Sequence, residues 1–210
     1  PAPVAVIIEG FLIYSDKQLC DMLGLALWIE TDCEICARRR YNREGRRGQF
    51  EQYIQAFRQD VWHHYERYRG EQLANVPKVM SLDGALEPQN LIAQAVEHCR
   101  ITVECGSKSN SALEPNLMVP SQKAVVQVLR PVILIGIGGS SASGKSTLAR
   151  GLAKDLGSPL KVFSADHYLD SSRVRRVGSW ETPAGIAWDD LRTALQETVT
   201  TLAQCECLPP

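Results

Sequence analysis

Residues 139–146 read G-x-x-x-x-G-K-S, and no other stretch constrains the fold of this chain as tightly. Val132, Ile133, Leu134 and Ile135 lead into it as an unbroken apolar run, the form of a parallel strand buried on both faces. Leu148, Leu152 and Leu156 follow at helical spacing, so the glycines lie between a strand and a helix. Glycines at 138, 139 and 144 let backbone N–H groups approach a polyphosphate, and the helix N-terminus adds its positive dipole end. Lys145 has the reach for β- and γ-phosphates, and the Ser146 hydroxyl is placed to ligate Mg²⁺. The alternative is a chance match in a turn before an ordinary helix. The loop specifies a nucleotide and leaves the reaction open.

The chain of 210 residues is long enough for one sizeable core, which predicts one domain, residues 1–210. Its formal net charge of −1 gives no reason to expect a nucleic-acid or membrane partner. No apolar run approaches the roughly 20 residues that span a bilayer, and no secretory signal is visible. The chain begins Pro-Ala-Pro without an initiator methionine, which leaves open a fragment, a processed form or a rearranged sequence. Seven cysteines, an odd number, suit a reducing compartment, so a cytoplasmic location is expected. Cys33-x-x-Cys36 and Cys205-x-Cys207 could together supply the four ligands of a zinc site, although the first pair also reads as small buried thiols in a helix.

The segment 4–8 (VAVII) reads as a second buried strand, ending at Glu9. A carboxylate at the carboxyl end of a parallel strand sits where open α/β sheets bind ligands, so Glu9 is a candidate to hold Mg²⁺ or its water. Residues 15–22 predict a short helix and 25–29 (LALWI) another strand. Thr31-x-x-Glu34 has the form of a capping box opening a helix. Six of the ten residues 38–47 are arginine, with Glu44 the only acid among them. Guanidinium groups grip phosphate in a fork and stabilise charge in phosphoryl transfer, so this stretch reads as a basic lid over the nucleotide, or else as a solvated basic face.

A helix is predicted over 49–73, its aromatics Phe50, Tyr53, Phe57, Trp62, Tyr65 and Tyr68 mostly core. His63 and His64 point about 100° apart on it, which favours structural roles over a shared metal. A strand at 76–82, a turn at Asp83-Gly84 and an amphipathic helix at 88–99 follow. Residues 101–130 are Ser/Pro-punctuated and read as a connector, with one short element near 125–129. After the loop, 160–164 (LKVFS) is a strand leading to Asp166, a second strand-end carboxylate able to take a proton from an attacking hydroxyl, or else a cap. Residues 188–203 predict the last helix, with Leu191, Ala194, Leu195, Val199 and Leu202 on one face.

The segments GIGGSSASGKSTLARGL, FSADHYL and WETPAGIAWDDL, then VAVIIEGFLIY, ETDCEICARRRYNRE, VWHHYERYR and VMSLDGALEPQNLIAQAV, resemble the uridine kinase-like branch of P-loop kinases, and most closely nicotinamide riboside kinases. The resemblance covers most of the chain and implies a three-layer P-loop kinase fold, a central parallel sheet flanked by helices. The order departs from the family: there the phosphate loop comes first and the EGF strand later. Circular permutation explains this most simply, with residues 1–100 as the family's C-terminal half, 101–130 bridging the old termini and 131–210 as its N-terminal half. The alternative is a cut through a tandem chain, its halves completing each other between molecules.

By position, the resemblance implies that Gly139, Ser140, Ser141, Ala142, Ser143, Gly144, Lys145, Ser146 and Thr147 cradle the ATP phosphates with Arg39 and Arg43. Ser146, Glu9 and Asp166 would serve Mg²⁺, and Asp166, Glu9 and Lys145 the chemistry, with the base either Asp166 or Glu9. Asp166, Tyr168, Trp180, Glu181, Arg40 and Tyr14 would meet the riboside. Glu181 stands where the family has Asp, which leaves the ribose contact open. Across the rejoined ends, the span from Asp166 to Glu9 is shorter than uridine kinases need for the hairpin of their pyrimidine pocket. The implied activity is ATP- and Mg²⁺-dependent phosphorylation of a riboside 5′-hydroxyl, nicotinamide riboside first, by a monomer or weak homodimer. Kinases of the same fold on uridine, cytidine or another small alcohol, and a nucleotide-binding regulatory module without kinase activity, are the alternatives.

Overall fold

The structure is a computed structural model and describes residues 3–76, 78–109, 131–177 and 179–204. The β-branched and leucine-rich runs form five parallel strands among these residues: β1 (Val4–Glu9), β2 (Leu25–Glu30), β3 (Val79–Asp83), β4 (Val132–Gly139) and β5 (Phe163–Ser164). Their order across the sheet is β3-β2-β4-β1-β5, so the strand that leads into the phosphate loop is central, between two strands from the first part of the chain. Val4 pairs with Val132 and Glu9 with Ile137 on one side of the junction, and Leu25 with Ile135 on the other. This register brings Glu9 and Gly139 to the same edge of the sheet.

Helices cover both faces, giving a three-layer α/β architecture. On one face Val4, Val6 and Ile8 pack with Trp28, with Tyr65 of the helix α4 (His63–Ala74), and with Leu191, Leu195 and Leu202 of α8 (Trp188–Gln204). On the other, Ile7, Leu27, Ile29, Ile135 and Ile137 meet Leu91, Ala95 and Val96 of α5 (Pro88–Ser109) and Leu148, Ala149 and Leu152 of α6 (Lys145–Asp155). The alternation of Val6 and Ile8 against Ile7 is the period of two that a strand covered on both faces requires. Burying some forty apolar side chains at about 1.5–3 kcal/mol each is what offsets the entropy of ordering the chain.

Shorter elements are α1 (Lys17–Met22), α2 (Cys33–Arg43), α3 (Phe50–Phe57) and α7 (Ser171–Val177). The predicted helix at 49–73 is α3 and α4 joined through a π-type turn at Arg58–Trp62. Cys36, Ala37, Ile54 and Phe57 form a separate small core that fixes α2 against α3.

Three expectations are corrected. The helix after β2 has Asp32, not Thr31, as its N-cap, without a side-chain cap bond, and the Thr31 hydroxyl is buried without a partner among the described residues. That hydroxyl lies 1.9 Å from where a Cβ at Gly84 would stand, so it packs beneath the β3 turn instead of turning back to cap the helix. The strand expected at 160–164 is only Phe163–Ser164, because the Ser158 hydroxyl bonds to Ala5 O and Leu160 O and turns the backbone before pairing begins. The connector does not start at 101: α5 continues to Ser109, with Ile101 half exposed on it. The element expected near 125–129, the cysteines at 205 and 207 and the ends at 1 and 210 lie outside the described residues.

Candidate active site

The phosphate loop is shaped by backbone conformations that few residues adopt. Gly139 (φ 142°) leaves β4 with its Cα against Ile29 O, where a Cβ would come within 2.7 Å, and Gly144 (φ 111°) enters α6 in the left-handed region. Ala142 joins them at φ 62°. Gly144 gives no side-chain cap, so the first N–H groups of α6 remain for a ligand. Ser143 is 1% exposed, and its hydroxyl has no partner among the described residues. An orphaned hydroxyl, an uncapped helix start and a glycine cradle with nothing within 4 Å of a Gly144 Cβ fit a phosphate chain.

Lys145 is 8% exposed, and its ammonium donates to Ser140 O at 2.7 Å, which holds it folded back over the loop. Burial pushes its pKa down, and Glu9 followed by Asp166 oppose the shift. Glu9 is buried at the end of β1, where its Oε1 accepts from Ser146 at 3.1 Å and from Ser164 at 3.0 Å. A carboxylate oxygen sharing a hydroxyl at the helix start is the hard oxygen pair that Mg²⁺ takes beside phosphate.

The cavity above the loop has a volume of about 600 Å³. Glu9, Lys145, Ser146 and Thr147 line it from the loop side, Arg39, Arg40 and Arg43 from α2, and Asp166, Trp180 and Glu181 from the segments after β5. The Arg39 guanidinium donates to Ser143 O at 3.2 Å. Arg40 donates to Ser141 Oγ at 3.2 Å and to Glu181 Oε1 at 3.4 Å. Burial raises the Glu181 pKa, with the Arg40 charge acting against it. Trp180 is 56% exposed at the rim. Arg46 pairs with Glu44 and its guanidinium lies over Tyr53, while Arg38 lies over Phe50 at 3.7 Å, so those two face away from the cavity.

Several sequence-predicted residues are not in the cavity wall. Tyr14 is fully buried beneath the sheet: its hydroxyl lies 2.8 Å from both Leu27 O and Gly136 O and accepts from Leu27 N–H at 3.1 Å. Its expected riboside contact is therefore corrected to a core role. Tyr168 packs half-buried against the core beside α8 and does not line the cavity either. Gly139 and Ser140 sit below the loop, Ser140 at 0% exposure with its Oγ 3.1 Å from Cys36 Sγ. His63 and His64 have ring centroids 5.8 Å apart, and His64 Nε2 lies 3.4 Å from Ser179 Oγ.

Residues that the sequence reading left out of the site are Ser164 and Arg150, while Cys36, read there as a zinc candidate or a small buried thiol in a helix, is buried beside Ser140. Ser164 pairs in register with Glu9, a relation that only the β1–β5 alignment reveals. Cys36 precedes Arg39 and Arg40 by three and four residues, so helical spacing could have aligned its thiol with theirs. Arg150 lines the cavity four residues after Ser146, again the same face of one helix. Among the described residues no helix is long and apolar enough to cross a membrane, and no group of three or more His, Cys, Asp or Glu side chains forms a metal cage.

Comparison with curated proteins finds nicotinamide riboside kinase 2 of Mus musculus, 31% identical over 96 residues, which are 44% of this chain and 46% of that protein. The Homo sapiens nicotinamide riboside kinase 2 is 30% identical over 92 residues, 44% of this chain and 39% of that protein. The chain thus spans less than half the length of the curated relatives it matches, and the match is to kinases. No family model matches the chain, and no solved structure matches it.

Proposed function

We propose that this chain is an ATP- and Mg²⁺-dependent kinase that phosphorylates the 5′-hydroxyl of a small riboside, with nicotinamide riboside the first candidate. One observation carries the reading: residues 141–147 of the phosphate loop, the arginines of α2 and the wall of Asp166, Trp180 and Glu181 face a single cavity, although they come from separate stretches of the chain. The named activity of the two riboside kinases that match part of the chain supports the acceptor class.

In this reading the loop N–H groups, Lys145, Arg39 and Arg43 hold the triphosphate and take up the charge that accumulates on the moving phosphoryl. Glu9 and Ser146 would hold Mg²⁺, which when bound neutralises phosphate oxygens. Glu9 already accepts from two hydroxyls, whereas Asp166 has no side-chain partner among the described residues and lines the cavity. Asp166 is therefore the better base: it takes the proton from the acceptor hydroxyl as that oxygen bonds to the γ-phosphorus and ADP departs. Trp180 and Glu181 grip the riboside at the rim.

We also read the chain as one domain with its halves in exchanged order. Two observations support this. β4 pairs with β1 and β2 on either side, so strands from both halves join one sheet. A collinear alignment of an exchanged sequence covers only one half, and the matched stretches of 96 and 92 residues have that length.

The test is ATP consumption by the purified chain with Mg²⁺ against nicotinamide riboside, uridine, cytidine, pantothenate and glycerate. Turnover well above the no-acceptor background with nicotinamide riboside is expected. Stimulation by a different alcohol would move the substrate assignment, and stimulation by none, in a protein that binds ATP, would turn the reading to a nucleotide-binding module.

A further inference from the structure

Trp180 and Glu181 belong to a bend that is neither strand nor helix, and the root of that bend is tied to a residue outside the cavity wall. Glu181 N–H donates to Ser179 Oγ at 3.1 Å, and the same oxygen lies 3.4 Å from Nε2 of His64, in the first turn of α4. A serine hydroxyl has one hydrogen and two lone pairs, so it can serve the Glu181 amide and the imidazole together. The His64 ring is held in place by Tyr68 one turn along, their centroids 6.4 Å apart and their planes 6° apart. Its Nδ1 is buried without a partner among the described residues, so protonation would add an N–H that nothing accepts. Burial, then His63 and Arg67, lower the His64 pKa against the opposing charge of Asp60, which favours the neutral ring. The buried contacts of α4 are made by Tyr65 and Gln72, so the packing of this helix does not depend on His64. The side-chain hydrogen bond of His64 goes to the bend that carries the acceptor wall.

We infer that His64 is a positioning residue for the acceptor: through the Ser179 hydroxyl it fixes the backbone at Glu181, and so sets where Trp180 and Glu181 stand at the rim of the cavity. This rests on the kinase reading and adds to it a residue of α4 that touches neither substrate. A bend without ladder hydrogen bonds has many backbone arrangements open to it, and a side chain anchored on a helix removes most of them before the acceptor arrives. Losing the anchor returns that ordering cost to the acceptor alone. The phosphate loop, built from residues 139–147 and β4, shares no hydrogen bond with His64 or Ser179, so the nucleotide end of the cavity keeps its geometry.

The experiment is steady-state kinetics of the full chain with ATP, Mg²⁺ and nicotinamide riboside, in wild type, His64→Ala, His64→Gln, Ser179→Ala and the double variant His64→Ala/Ser179→Ala, with thermal melting to choose a temperature at which each is folded. His64→Ala and Ser179→Ala are each expected to raise the acceptor KM about threefold, with kcat and the ATP KM near wild type. The double variant should be no worse than the worse single one, because both break the same link. His64→Gln, whose amide reaches the place of Nε2, should restore the acceptor KM to within about twofold of wild type. A merely structural role would lower the melting temperature and leave the acceptor KM alone. An unchanged acceptor KM in His64→Ala, an equal rise in the ATP KM, additive effects in the double variant, or no rescue by glutamine overturns the inference and leaves the kinase reading standing. A wild-type chain that no acceptor stimulates overturns both.

Discussion

At the phosphate end of the cavity most of the polar groups come from one contiguous stretch, residues 141–147, and their positions follow from local backbone geometry. At the acceptor end, Asp166, Trp180, Glu181 and Arg40 come from a 3₁₀ turn, a loop and a helix, brought together only by the tertiary fold. The first region packs closely on β2, where a Cβ at Gly139 would strike Ile29 O. The second is joined through the Arg40–Glu181 ion pair, with Trp180 exposed at the rim. In the proposed reading a local motif fixes the donor chemistry, while the acceptor wall rests on single side chains from separate segments. Substitutions at the two ends should therefore fail in different ways.

The largest effect is expected at Lys145. Lys145→Ala should cut turnover by roughly a thousandfold or more, because the ammonium meets charge that builds up in the transition state. Its melting temperature should not fall by much, since removing a buried ammonium whose pKa burial already depresses relieves a desolvation penalty. Steady-state assays and a melting curve check both, and full turnover in the variant would end the assignment of this loop to phosphoryl transfer.

Next come the two carboxylates, which the comparison separates. Asp166→Asn should lower kcat by about a hundredfold with little change in nucleotide affinity, the signature of a lost base. Glu9→Gln should instead raise the Mg²⁺ concentration for half-maximal activity by about tenfold, since Glu9 holds the Ser146 hydroxyl. Mg²⁺ titrations of both variants decide it, and the opposite pattern would exchange the roles.

How much of this was legible in the sequence follows the same division. The loop, β4 and the strand-end positions of Glu9 and Asp166 could be read directly, because an apolar run fixes a strand and a strand end fixes a place on the sheet edge. Depth could not be read. Tyr14 stands five residues beyond the Glu9 strand end, near enough to the site by count, yet a 3₁₀ turn at Ile13–Ser15 carries its ring under the sheet between Leu27 and Gly136. Partners joined by the tertiary fold, such as Ser164 with Glu9 and Cys36 with Ser140, have sequence separations of 155 and 104 that no periodicity encodes.

A smaller effect is expected at the rim. Trp180→Ala should raise the acceptor KM by about fivefold, the scale of one lost aromatic stacking contact, and leave kcat and the KM for ATP near wild type. At 56% exposure the side chain contributes little to the fold, so stability should stay within about 0.5 kcal/mol. A change in the ATP KM of the same size as that for the acceptor would mean that the two ends of the cavity are not separable at Trp180.

The smallest catalytic effect, and a sharp one for the comparison, belongs to Tyr14→Phe. The ring would keep its packing against Trp28, 6.0 Å away centroid to centroid, and only the hydroxyl would be lost. That hydroxyl bonds to backbone groups of β2 and β4, the strands that carry α2 and the phosphate loop, and burial drives its pKa upward, so it acts as a neutral hydrogen-bonding group at any ordinary pH. Removing it should cost about 1–2 kcal/mol of stability, a fall in melting temperature of roughly 2–8 °C for a chain of this size. Acceptor KM, nucleotide KM and kcat should all stay near wild type at temperatures where the variant is folded. If instead the acceptor KM rose while the melting temperature held, Tyr14 would face the riboside after all, and the acceptor wall would extend through the sheet edge rather than end at Trp180 and Glu181.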